Sequence, residues 1–195
     1  MTKLTEIYDK KFFEWHRPLR EDYRKITQYL NHHLEGRHLS ILDIGCGNAY
    51  FLEAFPSFTL KFGIEGSHHC LPEVDKHIKS RIRILDVSVP FFVDNVFDLV
   101  ICTEVAEHLP VEAADTLINN IFNHAGRDVF FSAATPGQGG HHHLNEQPHE
   151  YWIEKFKDRG FAVDEDRTKR VREFAATTQL SWIRDNAIIL RVNGC

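Results

Sequence analysis

The densest set of residues that could bind a ligand follows a short hydrophobic run near residue 40. Asp43 lies near the end of that run, and Gly45 and Gly47 follow the run in the segment SILDIGCGN. Two glycines separated by one residue allow a tight turn that brings backbone N–H groups against a ligand. A dinucleotide-binding fingerprint would need a third glycine where this chain has Tyr50. The pattern therefore predicts a strand, a ligand-binding turn and a helix, and it argues against a nicotinamide-dependent oxidoreductase.

Acidic residues also follow the next three apolar runs. Glu65 ends the second run, Asp86 follows the third, and Glu104 follows the fourth after Thr103. A carboxylate offers two acceptor oxygens and no donor, which suits it to binding paired hydroxyl groups. Each of these residues alone could be a surface acid at the end of a strand. Their common position after successive strands favours a shared binding site.

Histidines follow the fourth and fifth apolar runs. The segment EVAEHLP places Glu107 and His108 after the fourth run, and GGHHHLN places His141, His142 and His143 after the fifth. Histidine accepts protons near neutral pH and is also a common metal ligand. Each segment has a structural alternative, since His108 could pack against a helix start and residues 141–143 could form a solvated loop. The residues alone leave both alternatives open.

Short apolar runs predict the strands that must position these side chains. Several runs, such as LVIC and VFF, are apolar at consecutive positions, which is typical of strands covered on both faces in a parallel sheet. The predicted strands are 39–44, 59–64, 81–85, 97–102, 129–132, 161–164 and 187–192.

Segments with helical periodicity lie between several of the predicted strands. Apolar residues recur at spacings of three and four in segments 19–34, 117–122 and 151–159. Glycines punctuate their ends, at Gly36, Gly126 and Gly160 respectively. Alternating strands and helices predict an α/β fold with a doubly wound, mostly parallel sheet and helices on both faces. In such sheets ligands bind beyond the carboxyl ends of the strands.

The composition limits the classes of partner and the cellular setting. The chain has 195 residues, 23 Lys and Arg against 28 Asp and Glu, and a formal charge of −5, which argues against a nucleic acid or an anionic membrane as partner. Four cysteines without C-x-x-C spacing and no long apolar run favour a cytoplasmic protein. We expect the one dense basic cluster to be the solvated face of a helix; its members are Arg167, Lys169, Arg170 and Arg172.

The glycine turn and the acids that follow it resemble the motifs of class I S-adenosylmethionine-dependent methyltransferases, from about Leu39 to Val192. The resemblance implies the seven-stranded methyltransferase fold. It also implies that Asp43 holds the amino group of S-adenosylmethionine, Glu65 the ribose hydroxyls and Asp86 the adenine amino group. The cofactor-binding residues implied in this way are Asp43, Gly45, Cys46, Gly47, Glu65, Gly66, Asp86, Val87, Thr103 and Glu104.

The resemblance implies methyl transfer to an oxygen or nitrogen nucleophile, with a small molecule as the preferred acceptor and His108 and His143 as catalytic residues. Glu104, Glu107 and His108, with a histidine of the next loop, also resemble the Mg²⁺-binding set of small-RNA 2′-O-methyltransferases. A similar segment occurs in quinone-biosynthesis O-methyltransferases. A metal-assisted RNA-like enzyme and a non-catalytic S-adenosylmethionine-binding protein therefore stay as alternatives. The sequence does not determine the metal ligands or the oligomeric state.

We interpret the whole chain as one domain, with residues 1–37 as a helical lid and 38–195 as the core. In many relatives the N-terminal segment covers the cofactor and helps to form the acceptor pocket. Tyr8, Trp15 and Arg17 are the candidates for that pocket, whereas Phe12 and Phe13 are expected to cover a face of the sheet. Residues 167–185 lie between the last two predicted strands, and their sequence predicts a packed helical insertion.

Overall fold

Seven strands form one sheet in the computed structural model, which describes residues 2–33 and 38–194. The predicted end of the first helix, at Leu34 and Gly36, therefore lies outside the described residues. The same is true of residue 37, the last residue of the proposed lid. The strands are β1 Ser40–Ile44, β2 Leu60–Glu65, β3 Ile82–Ile84, β4 Phe97–Thr103, β5 Ala125–Ser132, β6 Phe161–Val163 and β7 Ile188–Val192. The helices are α1 Thr2–Ile7, α2 Lys10–Trp15, α3 Arg20–His33, α4 Tyr50–Ala54, α5 Ala114–His124, α6 His149–Lys157, α7 Glu165–Ala175 and α8 Ser181–Asn186.

The strand order is β3-β2-β1-β4-β5-β7-β6, and only β7 runs antiparallel to its neighbours. This arrangement confirms the predicted doubly wound, mostly parallel sheet. Strands β2 and β3 extend the sheet on one side of β1, and the strands from β4 onward extend it on the other side. The carboxyl ends of β1 and β4 therefore flank a crevice, which is where such sheets bind ligands.

Consecutive apolar residues along the central strands serve two separate cores. Leu99 and Ile101 of β4 pack with α3, α4, α7 and α8, whereas Val100 and Cys102 pack on the opposite face with α5 and α6. Neighbouring residues of a strand point to opposite faces, so an uninterrupted apolar run requires cover on both sides. The helices on both faces confirm that interpretation of the LVIC segment.

The prediction that Gly126 ends a helix is wrong. Helix α5 ends at His124 and β5 begins at Ala125, so Gly126 lies inside the strand. A Cβ atom at Gly126 would lie 2.9 Å from Val96 Cγ1, so the glycine permits close approach of the segment that enters β4. Gly160, by contrast, has φ +82° just after α6, which agrees with its predicted role.

The basic cluster is only partly a solvated face. Lys169 and Arg170 of α7 are exposed, but Arg167 is buried and its Nη1 lies 3.4 Å from Asp128 Oδ1. Asp128 is itself buried and also contacts His38 Nε2 at 2.9 Å. A buried carboxylate is tolerated only when it is paired, and Asp128 lies on β5, far from Arg167 in sequence. The prediction for Arg167 is therefore wrong.

The insertion before β7 consists of α7 and α8, which pack on the same face as α3. This confirms the predicted helical insertion. None of the helices in the described part of the chain combines the length and apolar character needed to cross a membrane.

Candidate active site

A cavity of about 760 Å³ opens at the carboxyl edge of the sheet, between the loops after β1, β2 and β4 and the N-terminal helices α1 and α2. Its volume is in the range of small-molecule sites. The cavity is lined by all twelve residues that the sequence predicted for the cofactor and for catalysis: Asp43, Gly45, Cys46, Gly47, Glu65, Gly66, Asp86, Val87, Thr103, Glu104, His108 and His143. The fold therefore brings together residues from 43 to 143.

The glycine turn has the backbone conformation that only glycine adopts readily. Gly45 and Gly47 have φ values of +75° and +51°. A Cβ atom at Gly45 would overlap Val105 Cγ2, whereas none of the described atoms lies within 4 Å of a Cβ built at Gly47. The backbone N–H of Gly45 donates to Ile64 O at 2.8 Å, which ties the turn to β2. The turn is thus fixed at Gly45 and leaves open space above Gly47.

Two buried carboxyl groups face the cavity beside this turn. Asp43 is 2% exposed, and its Oδ2 has no hydrogen-bond partner among the residues that the structure describes. Burial raises the pKa of Asp43 well above its usual range, and the charge of Glu65 adds to that effect. Without a ligand such a group is accommodated by protonation, and in its ionised form it would pair with a cation or a hydrogen-bond donor of a ligand.

Glu65 is held in place by backbone N–H groups. Its Oε2 accepts from Gly47 N at 2.9 Å and its Oε1 from Ser67 N at 3.0 Å. Burial raises the pKa of Glu65, and these backbone donors oppose that rise. A carboxylate has about four acceptor positions, so Glu65 keeps acceptor capacity for a ligand beside its bonds to the backbone of Gly47, Gly66 and Ser67.

Asp86 and Val87 form the far wall of the cavity. Asp86 Oδ1 accepts from Ser88 N at 2.9 Å and from Ser88 Oγ at 2.6 Å, so the turn after β3 orients the carboxylate. Val87 is 7% exposed and packs in the core on the α5 side of the sheet. This corner of the cavity pairs an oriented hydrogen-bond acceptor with an apolar surface.

Beyond β4, two more carboxyl groups are buried side by side. Glu104 has φ +53°, an uncommon conformation for a residue with a side chain, and Glu107 follows in a 3₁₀ turn over Ala106–His108. Burial raises the pKa of both carboxyl groups, and the nearby charge of Glu104 raises that of Glu107 further. Glu107 Oε1 accepts from Ala134 N at 3.2 Å, but Glu107 Oε2 is buried with no hydrogen-bond partner in the described ranges.

The histidines of the two loops meet beside Glu107. The rings of His108 and His143 are 4.9 Å apart, and ligand atoms of Glu107, His108 and His143 all lie within 4.8 Å of one another. Burial lowers the pKa of His108 to about 4, and the neighbouring His143 contributes to that decrease. Such a group can accept a proton, bind a polar substrate atom or hold a cation. The His143 ring and the His142 carbonyl thus contact the β4 loop, whereas the side chains of His141 and His142 are exposed and His141 contacts the N-terminal helices.

Comparison with known proteins identifies the type of domain that has this geometry. Residues 42–127 match the family model described as a methyltransferase domain. They span the glycine turn and the strands that supply Asp43, Glu65, Asp86 and Glu104. The match covers less than half of the chain and indicates an S-adenosylmethionine-dependent methyltransferase. S-adenosylmethionine is the methyl donor that such a domain implies.

Solved structures share the fold of this methyltransferase at low sequence identity. Magnesium protoporphyrin IX methyltransferase from Synechocystis PCC 6803, with bound S-adenosylmethionine, superposes with a TM-score of 0.67 at 16% identity, over 97% of this chain and 94% of that one. An S-adenosylmethionine-dependent methyltransferase from Clostridium acetobutylicum gives 0.69 at 13% identity, over 96% and 99%. The sugar N-methyltransferase KedS8 from Streptoalloteichus gives 0.67 at 13% identity, over 93% and 92%. No curated protein matches the sequence.

The N-terminal helices cover the cavity of the methyltransferase. Backbone carbonyls of this segment accept hydrogen bonds from the core: Tyr8 O from Ser67 Oγ at 2.7 Å and Phe13 O from Asn48 Nδ2 at 2.9 Å. Ser67 and Asn48 follow the two loops that carry Glu65 and Gly47. The N-terminal segment is therefore fastened directly to the proposed cofactor loops.

Two of the three residues predicted for the acceptor pocket line the cavity, and one does not. Tyr8 and Trp15 line the cavity as predicted, but Arg17 lies outside it and pairs with Glu73, with 2.6 Å between Arg17 Nε and Glu73 Oε2. Phe12 packs against the core on the α3 side of the sheet as expected, and it also lines the cavity, where its ring centroid lies 5.6 Å from that of His141. The prediction for Arg17 is therefore wrong.

Glu146 and Asn186 contact residues of the site and were not predicted from the sequence. Glu146 Oε1 lies 2.8 Å from His143 Nδ1. Asn186, at the end of α8, donates from Nδ2 to Gln138 Oε1 at 3.0 Å and to Glu104 Oε1 at 3.3 Å. A carboxylate near a histidine run was a signal for Glu146, whereas no local pattern marked Asn186.

Proposed function

We propose that this enzyme transfers the methyl group of S-adenosylmethionine to an oxygen or nitrogen nucleophile of a small molecule. The supporting observation is that one continuous cavity joins the acidic residues beside the glycine turn to an aromatic compartment that ends at His108 and His143. Two proteins of similar fold are named for small-molecule acceptors, a magnesium porphyrin and a sugar. We assign the same broad class of acceptor to this chain.

The buried polar atoms of the cavity fit S-adenosylmethionine. Asp43 Oδ2, which lacks a partner among the described residues, would accept a hydrogen bond from the amino group of the cofactor. Glu65 has lone pairs to spare for the ribose hydroxyls, and Asp86 beside Val87 suits the adenine amino group and ring. Thr103 and Glu104, at the end of β4, would lie near the reacting end of the cofactor.

Catalysis then depends on which residues bind and orient the acceptor and which residue accepts its proton. When bound, S-adenosylmethionine supplies a methyl group that its positive sulfur has already activated. The protein must orient the nucleophile, which can contribute ~7–11 kcal/mol to lowering a barrier, and must accept a proton from it. With a pKa of about 4, His108 is a weak base at neutral pH. We therefore assign proton acceptance to His143 and acceptor binding to His108.

A metal-assisted reaction is the second candidate, and the Glu107–His108–His143 cluster supports it. The ligand atoms are an oxygen and two nitrogens within 4.8 Å, and Glu107 Oε2 is buried without a hydrogen-bond partner in the described structure. Carboxylate and imidazole ligands fit Mg²⁺ or another divalent ion. A bound divalent ion would favour ionisation of an acceptor hydroxyl.

A small molecule is a better acceptor than RNA for either candidate. The chain carries a formal charge of −5, and Lys11 is the only lysine or arginine among the described residues that line the cavity. Binding a phosphate backbone depends mainly on lysine and arginine contacts. The acidic lining instead complements a cationic cofactor and a neutral or positively charged acceptor.

The test begins with calorimetric titration of the protein with S-adenosylmethionine and S-adenosylhomocysteine, with Mg²⁺ or with EDTA. Formation of S-adenosylhomocysteine is then measured by mass spectrometry with panels of hydroxyl and amine compounds and with short RNAs. We expect transfer to a small molecule that is lost in His143→Ala and retained in His77→Ala, since His77 is exposed and lies away from the cavity. Transfer to RNA alone, or cofactor binding with no transfer to any acceptor class, would contradict the proposal.

A further inference from the structure

Glu146 organises the loop between β5 and α6 around a single carboxylate. Its Oε2 accepts from Gly137 N at 2.8 Å, and its Oε1 accepts from Gly139 N at 2.7 Å and lies 2.8 Å from His143 Nδ1. Gly137 and Gly139 have φ values of +85° and +65°, a conformation that directs their N–H groups toward Glu146 and that glycine adopts without strain. The carboxylate is therefore bound by three donors from one short loop.

This contact determines which nitrogen of His143 carries the proton. A glutamate is ionised at neutral pH, and an ionised carboxylate only accepts hydrogen bonds. His143 Nδ1 must therefore donate to Glu146, which leaves the lone pair of Nε2 available. A histidine that acts as a base or as a metal ligand needs that lone pair, and carboxylates commonly fix it in this way.

Packing fixes the same ring from its other side. A Cβ atom at Gly140 would overlap Nε2 and Cε1 of His143 and would lie 3.0 Å from Cδ2. The imidazole thus lies directly against the Cα atom of Gly140, where any side chain would displace it. The side chains of His143 and Glu146 are 12% and 20% exposed, so little solvent competes for their hydrogen bond.

Backbone contacts hold this loop against the rest of the cluster. The N–H groups of Leu144 and Asn145 donate to Glu107 O at 2.7 and 2.9 Å. His108 Nδ1 lies 3.4 Å from His142 O, and because a carbonyl only accepts, His108 also has its Nε2 lone pair available. The loop therefore presents His143 to Glu107 and His108 in a defined orientation.

We propose that Glu146 is a positioning residue of the enzyme, which holds His143 in the Nδ1–H tautomer with Nε2 directed to the Glu107–His108 cluster. The proposal rests on the proposed function, in which His143 acts on the acceptor. Glu146 itself acts only through His143. Removal of a carboxylate partner of this kind typically reduces metal affinity or activity by ~10–100-fold.

The tautomer is tested by two-dimensional ¹H–¹⁵N NMR of protein labelled with ¹⁵N-histidine at neutral pH, with the His143 signals assigned by their loss in His143→Gln. We expect an Nδ1–H tautomer in the wild-type protein. In Glu146→Gln the side-chain amide can donate to Nδ1, so the Nε2–H form should gain population. The matched control is Glu150→Gln, which removes the same charge from an exposed position of α6 and should leave the tautomer unchanged.

Kinetics and a conservative variant complete the test. We expect kcat to fall by ~10–100-fold in Glu146→Gln with KM for S-adenosylmethionine unchanged within about twofold, and partial recovery in Glu146→Asp, which keeps the charge. A wild-type His143 in the Nε2–H form, or a tautomer that Glu146→Gln does not change, would overturn the proposal. Because the NMR measurement needs no methyl transfer, its outcome is independent of whether the proposed function holds. Circular dichroism and thermal unfolding identify a variant that does not fold, in which case the wild-type tautomer alone decides: an Nδ1–H form of His143 supports the proposal and an Nε2–H form overturns it.

Discussion

Replacement of Asp43 by asparagine should weaken cofactor binding and at the same time stabilise the ligand-free protein. Asp43 is 2% exposed, and in the part of the chain that the structure describes its Oδ2 has no partner. Asparagine has nearly the same shape but carries no charge, so it removes the cost of burying a carboxylate. The same change removes the charge that would complement the amino group of S-adenosylmethionine.

The size of the binding effect follows from the burial of this group. A hydrogen bond that involves a charged group contributes ~1.5–3 kcal/mol, and solvent does not screen Asp43 because it is buried. Each 1.4 kcal/mol corresponds to a tenfold change in Kd, so Asp43→Asn should raise Kd by ~10–150-fold. S-adenosylhomocysteine has the same amino group, so its Kd should rise by a similar factor.

Proton linkage adds a second prediction, namely the direction in which stability and cofactor affinity change with pH. Burial and then the charge of Glu65 raise the pKa of Asp43, so the folded protein binds a proton that the unfolded chain releases above about pH 4. Stability from that proton is full below the unfolded pKa and is lost as the pH rises through the folded pKa. The stability advantage of Asp43→Asn should therefore grow with pH, and wild-type affinity for the cofactor should also rise with pH over the same range.

The assay combines calorimetry with urea unfolding of the wild type, Asp43→Asn and the control Asp94→Asn, in which an exposed carboxylate is replaced. The control should match the wild type in both measurements. If Asp43→Asn binds S-adenosylmethionine within twofold of the wild type, Asp43 does not hold the amino group. If the variant is less stable than the wild type at every pH, the carboxyl group has a partner that this reasoning omits.

Three further predictions concern the turn, the cluster and the core. Gly45→Ala should lower the free energy of unfolding by ~1–3 kcal/mol because of φ +75° and overlap with Val105, measured in urea; an unchanged value would contradict the strain argument. Glu107→Gln should stabilise the ligand-free protein increasingly with pH and abolish divalent-ion binding, measured by Mn²⁺ titration; retained binding would exclude Glu107 as a ligand. Asp128→Asn should cost ~3–5 kcal/mol because it removes the buried carboxylate charge that Arg127 and Arg167 pair with, measured by thermal unfolding; a loss below ~1 kcal/mol would contradict that role.

The sequence alone determined the strands of the sheet and the glycine and acidic residues that line the cavity at its carboxyl edge. The LVIC and VFF runs predicted strands covered on both faces, and the structure has helices against both. Asp43, Glu65 and Asp86 were found because each lies at or just after the carboxyl end of a parallel strand, so local position already places each of them at the same edge. Such features depend on neighbours in the chain, and a single sequence records those neighbours directly.

Only the tertiary structure decided how side chains from distant elements pair. Arg167 belongs to a basic cluster in sequence, but it is buried because β5 places Asp128 beneath α7. Asn186 reaches Glu104 only because α8 ends at the carboxyl edge of the sheet, where β7 begins beside the end of β5. The pairing of His143 with Glu146 likewise depends on a loop folded around one carboxylate. Burial and hydrogen-bond partners arise when distant segments meet, and local patterns of residue type do not contain that information.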